Sequence, residues 1–267
     1  MVRRDKANYL IQSVSHALDV IEELCKAEGE MGVTELSKSL KLHKNNVFRL
    51  LATLELRGYV EQNKLTENYR LGVKALQIGQ AYVAQSALVA RVTPILRTLS
   101  EELGETVSFA VLQNGTVMYP VSIESKRPVR VNGRTGVTTS AKQSAVGRLL
   151  LAQLPDAELA EFLTGNTPQD VAIRNALSEL RSSGTIADKG AIEADVLTVS
   201  KVVMGNGREV MGAIEILAPL YRTKPETLIA KLDEVVKPLS ETLGVTAIKP
   251  GLTGEIEKNV SGVGRIR

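Results

Sequence analysis

Along the N-terminal part of the chain, hydrophobic positions recur at helical spacing and then switch to alternation. After Ser13, a possible N-cap, Leu18, Ile21 and Cys25 fall at i, i+3 and i+7 with Ala17 and Leu24 beside them, which predicts an amphipathic helix ended by Gly29. Residues 33–40 place Val33, Leu36 and Leu40 on one side of a second, short helix. After a short break, residues 44–57 place Val47, Leu50, Leu51 and Leu54 at i, i+3, i+4 and i+7, with Asn46, Arg49 and Thr53 opposite. His43 begins this third helix, and Gly58 follows as a C′ residue would. Residues 59–62 and 68–71 then read as strands around a polar tip. Three helices and a hairpin predict a winged helix-turn-helix over residues 1–72.

Residues 73–90 are helical again and rich in small side chains (Gly79, Ala81, Ala84, Ala87), which predicts a linker helix. A second domain is expected over residues 91–249, opening with a helix through Leu103 that Gly104 closes. Residues 106–113 and 116–123 alternate around Asn114-Gly115, a strong hairpin signal. Helical pieces over residues 144–183 break at Pro155 and near Pro168; a second hairpin spans residues 194–204 and 208–217 around Gly205-Asn206-Gly207; residues 225–243 form a closing helix. Residues 250–267 read as a flexible tail. The fold class is α+β, with an antiparallel sheet in the second domain.

The length of 267 residues accommodates two domains, at ~100–200 residues each. With 43% hydrophobic and 24% charged residues the chain is globular in composition, which excludes wholesale disorder. No apolar stretch follows the charged start and none is long enough for a bilayer span, so a cytoplasmic protein with no membrane partner is expected. The single cysteine, Cys25, excludes an intrachain disulfide and a cysteine-cluster metal site. Asn259-Val260-Ser261 matches a glycosylation sequon, a chance match in a chain with no secretion signal. Charge is informative through its distribution: residues 41–74 hold seven basic against three acidic side chains, whereas residues 19–30 hold five acids and one base. A positive field confined to one short stretch is the footprint of a nucleic-acid-binding surface.

Lys44, Asn45, Asn46 and Arg49 lie near the start of the third helix, away from its apolar stripe, where a helix entering a major groove would present them. Arginine pairs with guanine O6 and N7, and asparagine with adenine N6 and N7. Lys64 and Arg70 in the hairpin are candidate phosphate contacts. Each of these residues could equally be an ordinary solvated side chain; their common setting of short helix, tight break and hairpin favours DNA. Enzyme chemistry has few candidates. His16, His43 and Cys25 are the chain's only residues of their types and all fall in the first domain, which removes cysteine nucleophiles, Ser-His-Asp arrays and histidine-bound metals from the second. The segment from Gln143 to Gly147 lacks the first glycine of a nucleophile elbow. No metal and no cofactor are expected.

The order of several short motifs resembles the IclR family of transcription regulators: Gln12-Ser13-Val14, Ala17-Leu18-Asp19-Val20, Thr34-Glu35-Leu36, Arg49-Leu50-Leu51-Ala52-Thr53-Leu54, Arg57-Gly58-Tyr59-Val60 and Tyr69-Arg70-Leu71-Gly72. It continues through residues 101–107, 147–152 and 184–188. The resemblance implies a winged-helix domain, a dimerising linker helix, and a GAF-like α/β effector domain, in dimers or tetramers that repress or activate by changing how paired DNA-binding domains are presented. It also implies an effector site at Asp188, Thr198, Ala145 with Val146, and Glu215 with Leu217. The chain departs from the family's small-acid sensors in carrying Glu215 and Leu217 where they carry two serines, and Asn45-Asn46 where Ser-Thr is common. The exchange disfavours a glyoxylate-like or pyruvate-like ligand, because Asp188 and Glu215 would set two carboxylates facing one pocket. It suits a ligand with an apolar body and donor groups. The alternative at this position is a Glu215 that turns outward or pairs with Lys201.

The expected function is therefore a ligand-responsive regulator that binds double-stranded operator DNA as a homodimer or dimer of dimers, with a small-molecule effector of unknown identity. Two other readings remain open: a constitutive DNA-binding regulator with no effector, and a metabolite-binding enzyme with an accessory winged helix.

Overall fold

The computed structural model describes residues 10–27, 29–190, 193–205 and 209–243. The chain divides into two units, Met1–Gln85 and Ser86–Arg267. The tail, its sequon, the charged start and the Asn206-Gly207 part of the second hairpin turn lie outside the described residues.

In the first unit, α1 (Gln12–Lys26), α2 (Val33–Ser39) and α3 (Lys44–Leu56) precede a two-stranded sheet of β1 (Val60–Gln62) and β2 (Tyr69–Leu71), then α4 (Val73–Gln85). Val20, Leu24, Leu36, Val47, Leu51, Val60 and Tyr69 form its core. The buried stripe of α1 is Val20 and Leu24, with Ala17 and Ile21 partly buried. Leu18 and Cys25, assigned to that stripe from spacing, are exposed. The set 17, 20, 21 and 24 also satisfies i, i+3, i+4, i+7, and core packing selects it over the neighbouring register. Ser13 is inside the helix rather than capping it: the N-cap is Ile11, whose carbonyl takes the N–H groups of Val14 and Ser15. Gly58 follows α3 at φ 76°, a left-handed value that glycine adopts without a Cβ clash. Met31 exchanges both backbone hydrogen bonds with Tyr69, at 2.9 and 2.8 Å, and so adds a bridge to the hairpin that the sequence reading lacks.

The helix expected over residues 73–90 stops at Gln85. Ser86 is an extended N-cap whose hydroxyl accepts the Val89 N–H at 3.3 Å, and it opens a new helix, α5 (Ala87–Leu103). The second unit continues with β3 (Thr106–Gln113), β4 (Thr116–Ile123), β5 (Thr138–Ser140), α6 (Ala145–Ala152), α7 (Asp156–Phe162), α8 (Pro168–Ser183), β6 (Thr185–Lys189), β7 (Val196–Met204), β8 (Val210–Pro219) and α9 (Pro225–Thr242). These strands form one antiparallel six-stranded sheet in the order β5-β4-β3-β8-β7-β6. The β3–β4 hairpin falls where alternation and Asn114-Gly115 put it, and both turn residues have positive φ. β5 and β6 carried no alternation signal strong enough to predict, being short edge strands of mixed polarity.

The central strands are buried on both faces. Val107, Phe109, Leu197, Val199, Ile214 and Ile216 point to a core shared with α5 and α9. Ala110, Tyr119, Val146, Leu150, Ile173 and Ala213 form a second core with α6, α7 and α8. Two-residue periodicity thus separates the strands into an apolar face and a face that also carries polar groups. α6 begins close against the second face: a Cβ built on Gly147 would run into the backbone of Ala141 and the Ser144 hydroxyl. Alanine gains ~1 kcal/mol of helix propensity over glycine, but such a collision costs ~1–3 kcal/mol when the obstacle is backbone. Gly147→Ala is therefore expected to lower the thermal midpoint of the second unit, measured by calorimetry. An unchanged or raised midpoint would show that α6 is free to move away.

Candidate nucleic-acid interface and ligand cleft

α3 presents two unlike faces. It buries Val47, Leu50, Leu51 and Leu54, and its 3.6-residue period turns Lys44, Asn45, Asn46, Phe48 and Arg49 to solvent, all exposed. His43 is the N-cap and not the first helical residue. Its Nδ1 accepts the Asn45 N–H at 3.4 Å and its carbonyl accepts the Asn46 N–H at 2.9 Å, which fixes the first turn. Asn45, Phe48 and Arg49 stand at i, i+3 and i+4 and so make one patch. Phe48, which the sequence reading passed over, is 56% exposed. Its signal was an aromatic residue off the buried stripe of a helix that is otherwise polar on that side. A phenyl ring there is suited to contact a thymine methyl group.

The hairpin beside α3 is tied down by acids. Arg70 faces Glu61 across the two strands, with Nε 2.6 Å from Glu61 Oε1 and Nη1 3.8 Å from Glu30 Oε1. Solvent screens exposed pairs of this kind, so they hold the guanidinium only weakly and leave it open to competition from a phosphate. Lys64 sits exposed at the tip, with no ion pair among the described residues. Glu30 fastens that tip: its carboxylate accepts from Asn63 Nδ2 at 2.9 and 3.0 Å and from Thr66 Oγ1 at 2.7 Å. The Thr66 and Asn63 hydrogen bonds hold its carboxyl below the usual range. Nothing local in the sequence marks Glu30 for this role, because its partners are more than thirty residues away.

In the second unit, Ser108 of β3, Glu215 of β8 and Ser200 of β7 are cross-strand neighbours on the face toward α6, and Thr198 lies beside them. All four are buried. A cleft of ≈ 250 Å³ opens over this row, lined by Arg134, Gln143, Ser144, Ala145, Thr198 and Glu215. Glu215 is only 1% exposed, with Oε2 3.6 Å from Arg134 Nη1. Arg134 also donates to the Tyr119 hydroxyl at 2.8 Å and stands 5.3 Å from the ring centroid. Burial pushes the Glu215 carboxyl up to about 7, while the Arg134 charge and the Tyr119 hydroxyl pull it down. The Tyr119 phenol is driven above its ordinary value, first by burial and then by Glu215. Glu215 Oε2 and Thr198 Oγ1 have no hydrogen-bond partner among the described residues.

Of the residues singled out from the sequence, Ala145, Thr198 and Glu215 line this cleft. Val146 packs into the core beneath α6, and Leu217 is buried on the sheet between Thr106 and Thr198. Asp188 is engaged by Arg148. The two carboxylates thus do not confront one another; each has its own arginine. The alternative in which Glu215 turns outward or joins Lys201 is overturned as well, since Lys201 projects from the opposite side of β7 to Ser200 and pairs with Asp233 at 2.6 Å. Arg134 was missed because it lies in an irregular segment far from Glu215 in sequence. Among the described residues no helix is long and apolar enough to cross a membrane.

Comparison with known proteins agrees with both halves of this description. Residues 13–64 match the IclR helix-turn-helix domain, and residues 80–244 match the bacterial transcriptional regulator IclR C-terminal domain. The chain is 29% identical over 250 residues to the HTH-type transcriptional regulator XynR of Escherichia coli, covering 89% of this chain and 99% of that protein. It is 32% identical over 185 residues to the HTH-type transcriptional regulator TtgV of Pseudomonas putida, covering 67% of this chain and 71% of the relative. The crystal structure of an IclR transcriptional regulator from Silicibacter sp. TM1040 superposes with a TM-score of 0.75 at 27% identity, over 88% of this chain and 98% of that one. With the second domain's match alone spanning more than half of its length, the chain belongs to the IclR family of DNA-binding transcription regulators.

Proposed function

We propose that α3 reads base edges in a major groove of operator DNA through Asn45, Asn46, Phe48 and Arg49, and that Lys44, Lys64 and Arg70 hold the phosphate backbone. The single observation that carries this reading is the division of α3 into a buried stripe and an outward patch of amide, guanidinium and aromatic groups beside a tethered hairpin. The acting species is a homodimer or a dimer of dimers in the cytoplasm. α4 supports an oligomer, since it has no buried residue and exposes Val73, Leu76, Ile78, Tyr82 and Val83; an apolar helix of this kind calls for a partner surface.

The second unit, on this proposal, takes a small effector in the cleft over Thr198 and Glu215, and occupancy changes how the winged helices meet DNA. Support comes from two buried polar atoms, Thr198 Oγ1 and Glu215 Oε2, that have no hydrogen-bond partner among the described residues; such atoms cost ~1–3 kcal/mol each unless a ligand or water completes them. A catalytic role has no comparable support: the chain's histidines and its cysteine all fall in the first unit.

Arg49→Ala is expected to weaken operator binding by on the order of 1–3 kcal/mol and to relax base preference, whereas Lys64→Ala should weaken all sequences alike and flatten the salt dependence. Fluorescence anisotropy on specific and scrambled duplexes over a salt series checks both, and an unchanged preference in Arg49→Ala would remove the base-reading role. The cleft yields a pH prediction. Glu215 binds its proton more tightly in the folded protein, up to about 7 against an ordinary 4.5, so its favourable contribution is complete below the lower value and is lost as pH rises toward the higher one. Wild type should therefore lose stability relative to Glu215→Gln across that window and run parallel to it above. Denaturant titrations at stepped pH measure this, and a constant difference would mean that Glu215 titrates normally.

A further inference from the structure

The cleft's unmet hydrogen-bonding groups are of two kinds and sit at different places. On the sheet side are groups able to accept: Glu215 Oε2, held at ion-pair distance from Arg134, and the 1% exposed Thr198 hydroxyl, neither with a hydrogen-bond partner among the described residues. On the helix side are donors. Ser144 caps α6 by accepting the Gly147 N–H on its hydroxyl at 3.2 Å and the Arg148 N–H on its carbonyl at 3.0 Å. The N–H groups of Ala145 and Val146 stay outside the helical ladder, as the first amides of a helix do, and Ala145 lines the cleft. α6 also directs its positive end there, with no acidic residue in its first turn.

We propose that the cleft selects a small zwitterion, a compact α-amino acid, whose ammonium donates to Glu215 and Thr198 while its carboxylate takes the α6 amides and the Arg134 guanidinium. The inference rests on the effector reading of this cleft and deepens it. The charges balance when Glu215 is ionised: it then cancels Arg134, so a ligand carrying one charge of each sign leaves the site neutral, and its ammonium favours that ionised form. A 2-oxo acid leaves a net negative charge beside Glu215 and supplies no donor to it. A simple amine leaves the helix amides unmet and adds a positive charge beside Arg134. The volume of ≈ 250 Å³ is that of a small metabolite, below the ~300–1,000 Å³ of drug-sized sites. Tyr119 fixes the Arg134 guanidinium through its hydroxyl and ring, so the pair is in place before the ligand arrives.

The test is calorimetric titration of the full-length protein with matched sets on one carbon skeleton: glycine with glyoxylate and methylamine, alanine with pyruvate and ethylamine, valine with its 2-oxo acid and isobutylamine. At least one amino acid should bind about tenfold or more tightly than both of its partners, the difference expected of a charge-assisted hydrogen bond gained or lost. In Glu215→Gln, which keeps the side chain's shape, the preference over the 2-oxo acid should fall to about onefold. Tighter binding of 2-oxo acids than of amino acids in wild type overturns the zwitterion assignment and leaves the effector reading standing. Binding by none of the three classes overturns both. Should Glu215→Gln not fold, the ranking within each set by wild type decides alone; an amino-acid preference that survives intact in a folded Glu215→Gln assigns the ammonium elsewhere and also overturns the proposal.

Discussion

A carboxylate buried on the central strand of a sheet constrains everything around it. Glu215 sits on β8 between Ser108 and Ser200 and is shut off from solvent, where an uncompensated charge is costly enough that the group either finds a partner or takes up a proton. Both responses are visible. Arg134 reaches Glu215 from an irregular segment, and the carboxyl is raised to about 7. That segment is itself secured: Val131 accepts from the Thr106 hydroxyl at 2.5 Å, Arg222 donates to the Val129 carbonyl at 2.7 Å, and Gly136 donates to the Tyr119 carbonyl at 2.9 Å. A second buried acid, Glu105, joins the same arrangement through Arg127 and Arg222, each at 3.3 Å. Replacing either acid without its arginines would leave the partly buried guanidinium of Arg134 or Arg222 without its counter-charge, which links the sheet, the segment and the cleft into one electrostatic unit.

The DNA-binding unit uses a different economy. Its core is small and apolar, and its polar residues are spent on position: His43 sets the start of α3, and Glu30 pins the hairpin tip. The side chains left over, Lys44, Asn45, Asn46, Arg49 and Lys64, are solvent-facing. A tethered frame suits recognition, because the backbone needs little ordering on contact and the remaining entropy cost falls on the exposed side chains themselves. The exception is Arg70, which is held by Glu61 and Glu30 and would have to exchange them for the phosphate contact we propose for it.

What could be read from the sequence follows from how local each cause is. The third helix, its terminal glycine and the β3–β4 hairpin rest on spacing within a dozen residues, and the structure places them almost to the residue. The register of α1 was misjudged because two apolar stripes compete on it and only packing decides between them. The break at Ser86 was invisible because small residues run through it, and one cap hydrogen bond separates two helices. The cleft was half legible: Ala145, Thr198 and Glu215 were named by family resemblance, but Arg134, which answers the charge of Glu215, comes from a segment with no periodicity at all. Phe48 was available to spacing and was passed over in favour of polar residues.

The central claim is that this chain recognises one DNA sequence over others. It is tested most directly by equilibrium binding of the full-length protein to the DNA immediately upstream of its own gene and to a shuffled duplex of equal length and composition, across a salt series. The account predicts that the upstream fragment is held about a thousandfold or more tightly at physiological salt, with protected half-sites about one helical turn or a multiple of it apart. Equal affinity for the two duplexes, falling together as salt rises, would contradict it.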